Sequence, residues 1–122
     1  MKTALLTGAF LLMALTNLCT AQTDRHYVRI VVLDAYSLKE SQQIDLYIRT
    51  KIGVLTSRMD RQTGLYLGIF NTNEGLSSQD FIIWIEELGF TTKCMVEGVH
   101  GTEEPIKVLD RSECIQESKL TE

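Results

Sequence analysis

Cys94, Met95, His100 and Cys114 are the residues of this chain whose types could hold a soft metal ion. Thiolate, thioether and imidazole are the donors that favour copper(I) and zinc. Cys-Met-x₄-His, however, is not a recognised ligand spacing. The same two cysteines also form an even pair in a chain with the marks of export, and such pairs oxidise to disulfides. Two readings therefore stand: a disulfide joining Cys94 to Cys114, which would pin the tail to the last strand, and a displaced metal site built from Cys94, Met95 and His100. No nucleophile and base can be paired for catalysis. Ser37, Ser77 and Ser78 stand where helix caps belong, His26 and His100 are single, and Glu86 and Glu87 read as a solvated helix face. Asp34 closes an apolar run just before a helix start, where the helix dipole favours a carboxylate.

Export is read from the N-terminus. Lys2 is followed by an apolar run from Ala4 to Leu15, and Cys19-Thr20-Ala21 offers small residues for a signal peptidase. This pattern predicts a signal peptide over residues 1–21, cleaved before Gln22. Lipidation at Cys19 is the alternative, though the bulky Leu18 precedes it. The run is too short for a stable anchor, and no later stretch approaches the roughly 20 apolar residues of a spanning helix. Formal net charge is −4 at pH 7, so nothing attracts a phosphate backbone and nucleic acid is not an expected partner. The remaining residues suffice for one small domain, expected over 22–98, with 99–122 as a C-terminal extension.

Within that domain the pattern alternates strand and helix. Tyr27 to Leu33 is apolar and β-branched except for Arg29, as in a buried central strand. Ser37-Leu38-Lys39-Glu40 is a capping box, and Ile44, Ile48 and Ile52 continue one helical face beside Tyr47 as far as Gly53. Val54 to Asp60 alternates, with Leu55 and Met59 on one face. Leu65, Leu67 and Ile69 share a face of the next run, across the turn Asp60 to Gly64, and Leu67 is expected in the core with Ile48 and Ile85. Ser77 to Asp80 caps a second helix lined by Phe81, Ile82, Ile85 and Leu88. Phe90 to Val96 reads as the last strand, broken at Gly98 to Gly101. In the tail, Ile106, Val108 and Leu109 could add an edge strand, and Ser118 to Glu122 reads as disordered. Each helix has one apolar stripe to bury against a sheet. The order βαββαβ predicts a ferredoxin-like plait, a four-stranded antiparallel sheet with two helices on one face.

Gly53-Val54, the Asp60 to Gly64 turn, Ser77-Ser78-Gln79-Asp80 and Ile85-Glu86-Glu87-Leu88-Gly89-Phe90 resemble, in order and spacing, the heavy-metal-associated (HMA) domain. The resemblance covers about Tyr27 to Val96. It implies the same plait, and in that family a Met-x-Cys-x-x-Cys loop after the first strand that carries copper(I) or zinc to a transporter. The matching loop here, Asp34 to Glu40, holds no Cys, His or Met. The resemblance thus implies the scaffold without the thiolate site and no bound cofactor. An acylphosphatase-like enzyme on this plait would want an arginine in the same loop, and there is none. What remains is a binding or protein-interaction module, with Tyr36, Ser37 and Trp84 as candidate contacts for a protein partner. Metal handling through Cys94, Met95 and His100 is the alternative.

Overall fold

The computed structural model describes residues 24–102 and 104–120. The expected signal peptide and Cys19 lie outside the described residues. Four strands, β1 (Arg25–Val32), β2 (Val54–Asp60), β3 (Leu65–Asn71) and β4 (Thr92–Val99), form one antiparallel sheet in the order β2-β3-β1-β4. Helix α1 (Leu38–Arg49) joins β1 to β2. Helix α2 (Ser78–Glu87), preceded by a short 3-10 turn at Thr72–Glu74, joins β3 to β4. A third helix, α3 (Arg111–Leu120), ends the described chain. The ferredoxin-like plait expected from the pattern is the fold.

One core lies between the helices and one sheet face. Val28, Ile30 and Val32 of β1, Ile44 and Ile48 of α1, Tyr66 and Phe70 of β3, and Phe81 and Ile85 of α2 are all buried in it. Both helices start at the caps the sequence announced. The Ser37 hydroxyl accepts from the Glu40 N–H at 3.1 Å, while the Glu40 carboxylate accepts from the Ser37 N–H. At α2 the Asp80 carboxylate accepts from the Ser77 N–H at 2.8 Å.

Four parts of the pattern fall differently from expectation. The core face of β3 is Tyr66, Gly68 and Phe70, not Leu65, Leu67 and Ile69. The close approach of Phe81 explains it: a Cβ on Gly68 would lie 2.6 Å from that ring, so β3 turns its glycine and two aromatics inward. In β2 the register shifts between Val54 and Thr56. This irregularity turns Leu55 out to 48% exposure while Ser57 and Met59 face the core. Ile52 stands beyond the end of α1 and is 79% exposed, so it does not extend that helix's buried stripe. Gly98, expected to break β4, lies inside it, packed against the ring of Tyr27.

The tail is the main departure. Instead of pairing as an edge strand, residues 104–110 cross the sheet face opposite the helices without regular secondary structure, and α3 includes Ser118 to Leu120 of the segment expected to be disordered. The Lys107 N–H donates to the Tyr27 hydroxyl at 3.0 Å, Arg29 donates to the Lys107 carbonyl, and Arg111 donates to the Leu33 carbonyl. Tyr27 and Val31 point away from the helices, yet they are 3% and 0% exposed, because this strap covers them. Strand β1 is therefore buried on both faces, which its run of apolar residues around Arg29 had indicated. The Cys94–Cys114 disulfide fastens the strap to β4, across a sequence separation of 20. Closing a loop of that size stabilises by about 3 kcal/mol in the chain-entropy model. Reduction is expected to lower the urea midpoint accordingly, and alkylation of the unreduced protein cleaved before Gln22 should add no label. Two labels on folded protein would show the pair to be open.

The β2 edge of the sheet is occupied by side chains of α1. At β2, the Asp45 carboxylate accepts from the Met59 N–H at 2.7 Å and Arg49 donates to the Ser57 carbonyl at 3.2 Å. These side chains, one helical turn apart on α1, occupy backbone groups that would otherwise invite another strand. Burial raises the carboxyl pKa of Asp45, opposed by the Met59 N–H and by Arg49 and Arg58. Beneath it the buried Tyr66 and Ser57 hydroxyls pair at 2.7 Å, and burial pushes the phenol well above its ordinary range.

Candidate functional site

The loop from Asp34 to Ser37 connects β1 to α1, and hydrogen bonds hold it on either side of Tyr36. Asp34 takes the Thr91 N–H at 2.8 Å and the Thr91 hydroxyl at 3.2 Å, which clips the loop to the connection before β4. Its carboxylate is thus a structural clamp between two loops. Ala35 is buried in the core, at 2% exposure. Ser37 is engaged as the N-cap, so its hydroxyl is not offered to solvent chemistry. Between these two anchors Tyr36 projects at 67% exposure, and Leu38 beside it at 56%. Tyr36 and Leu38 are thus displayed from a backbone held on both sides, and tyrosine is among the residue types that most often carry binding energy at interfaces.

Trp84 does not join this point. It stands on α2, edge-on to Phe81 with ring centroids 5.1 Å apart, and the Lys51 ammonium lies 5.5 Å from its ring. Lys51 follows the C-terminal end of α1, whereas Tyr36 precedes its N-terminal end. A helix of 12 residues separates them by about 18 Å at 1.5 Å per residue. Trp84 instead roofs the core rim in a seam between the helices. There Lys51 also sits 4.4 Å over the Tyr47 ring, and the Tyr47 hydroxyl donates to Glu87 at 2.9 Å. Glu86 accepts from the Thr92 hydroxyl, so both acidic residues of the outer face have partners.

The residues of the alternative metal site are not gathered. The Cys94 sulfur is bonded to Cys114 at 2.01 Å. Met95 faces the other way and packs against the helix-side core. His100 lies past the far end of β4, where its N–H bonds the Arg25 carbonyl. Cys94 also occupies a left-handed backbone conformation, φ +50°, at an irregularity between β4 and β1. Among the described residues no three His, Cys, Asp or Glu side chains come together as a metal site. A depression of about 410 Å³ opens under the first turn of α2, beside His26, Phe70 and Val99. The Ser78 hydroxyl is buried there without a partner, while the Glu97 carboxylate on its wall disfavours an anion.

Two features were not legible in the pattern. One is the strap, whose apolar residues are too few to announce a covering segment. The other is the pairing of Arg29 with Arg58 across β3, although a lone arginine inside an apolar strand was a visible signal. The chain matches no protein-family model and no curated protein. Among the described residues no helix is long and apolar enough to cross a membrane.

Proposed function

We propose that this chain is an exported interaction module on an HMA-like scaffold, using the loop after β1 to grip a partner protein rather than a metal ion. The observation that carries the reading is Tyr36, 67% exposed on a loop clamped at both sides by Asp34 and Ser37. Preordering matters because a side chain already held in place loses little freedom on binding. The disulfide supports an oxidising compartment, consistent with export. Binding is favoured over catalysis because the hydroxyls and carboxylates near the loop are taken up by caps and clamps.

A photo-reactive phenylalanine placed at Tyr36 should yield a discrete higher-mass adduct in the native compartment, and the same probe at Gln43 on α1 should not. Tyr36→Ala with Leu38→Ala should abolish partner association while moving stability by no more than about 0.5 kcal/mol, as surface changes do. No adduct at Tyr36, or equal adducts at both positions, would sink the reading.

A further inference from the structure

The strap leaves half of the helix-free sheet face uncovered. It lies over β1 and β4, while beside it β3 presents Leu65, Leu67 and Ile69, each half-buried. Leu67 is the centre of a cross-strand rung, with Arg29 of β1 on one side and Arg58 of β2 on the other. Alternation places all three on this face, and two strand spacings separate the arginine backbones by about 10 Å. A cleft of about 180 Å³ lies among Arg29, Arg58, Asp60, Thr63 and Leu67, and the Asp60 carboxylate on its wall accepts from the Gln62 and Thr63 N–H groups. The bond from Arg29 to the Lys107 carbonyl anchors one guanidinium at the strap's border, and Arg58 stands exposed at the other side. Two arginines against the single Asp60 carboxylate, over an apolar floor, leave this patch net positive in a chain of formal net charge −4.

We propose that this groove binds an extended segment of a partner protein, apolar at alternate residues, with a carboxylate held between Arg29 and Arg58. The period of two along Leu65, Leu67 and Ile69 matches the side-chain period of an extended peptide lying along β3. A guanidinium fork is suited to a carboxylate and grips it through paired N–H donors. Recognition runs through the face and not the neighbouring edge, because Asp45 and Arg49 already occupy the Met59 N–H and the Ser57 carbonyl of β2. A second copy fits poorly. Two such faces stacked about Leu67 would set Arg29 and Arg58 against their own counterparts, and like charges across an interface repel. This surface is separate from the Tyr36 loop, so either can fail without the other.

The test is fluorescence anisotropy of the disulfide-bonded protein with two short labelled peptides, one alternating leucine with glutamate and one alternating leucine with lysine. The glutamate peptide should bind at least about tenfold more tightly, as expected when charge complementarity sets specificity. Arg58→Glu should erase that preference, and Leu67→Ser should weaken the glutamate peptide. Tyr36→Ala should change neither. Urea midpoints of the Arg58 and Leu67 variants establish that they remain folded. Equal affinity for the two peptides, binding of neither, or a preference that survives Arg58→Glu would overturn the proposal. So would a dimer in gel filtration that Leu67→Ser dissociates, which would assign the face to a second copy.

Discussion

Phe81→Ala is expected to cost about 3–5 kcal/mol, the range for deleting a fully buried aromatic side chain. Phe81 is 0% exposed and meets the rings of Tyr66, Phe70 and Trp84, with centroids 6.1, 5.0 and 5.1 Å away. A small domain has about 5–15 kcal/mol in total, so a large share of its stability rests on one side chain. Gly68→Ala tests the same contact from beneath. Its new methyl would lie 2.6 Å from the Phe81 ring, and overpacking of this kind costs about 1–3 kcal/mol. Combined, the two changes should be less harmful than their sum, because the alanine methyl enters space the ring has vacated. Urea unfolding of the four proteins gives the coupling energy directly. Strict additivity would mean that α2 does not press on β3 at Gly68.

That contact also shows how far the pattern could be read. The βαββαβ order, both N-terminal caps and the buried helix stripes through Ile44, Ile48, Phe81 and Ile85 follow from local rules, and each was legible. The inward face of β3 was not. Leucine and isoleucine at Leu65, Leu67 and Ile69 looked like the core set by hydrophobicity alone. The decision between faces was made by shape, since only Gly68 admits the Phe81 ring. The half-buried leucines are tolerable outside because the strap and the rung of arginines border them. Similarly, Val31 and Tyr27 announced burial on both faces of β1, but nothing local named the segment that buries the second face. The disulfide partner of Cys94 is long-range information of the same sort. At the candidate site, exposure of Tyr36 was expected, whereas the separation of Trp84 from it depends on which end of α1 each adjoins.

The resemblance to HMA domains is open to a constructive test at the loop. Tyr36, Ser37 and the nearby carboxylates are hard oxygen ligands, and they compete poorly for copper(I) against thiols. The unmodified, oxidised protein is therefore expected to capture no copper(I) from a chromogenic chelator. Tyr36→Cys with Lys39→Cys should create that capture at one ion per chain. Both positions are exposed, and they are three residues apart across the start of α1. The N-terminus of a helix also lowers a thiol's pKa and so favours the thiolate that binds metal. The structure chooses between the two possible registers. Ser37 and Glu40 form the capping box, so substituting them removes a cap worth about 0.5–2 kcal/mol. Ser37→Cys with Glu40→Cys should accordingly bind less well and unfold earlier than the Tyr36 and Lys39 pair. Mass spectrometry must first show Cys94 still joined to Cys114. Capture by the unmodified protein would overturn the partner-binding reading. Failure of both pairs would leave the plait intact and remove the argument that this loop is the HMA loop with its thiolates replaced.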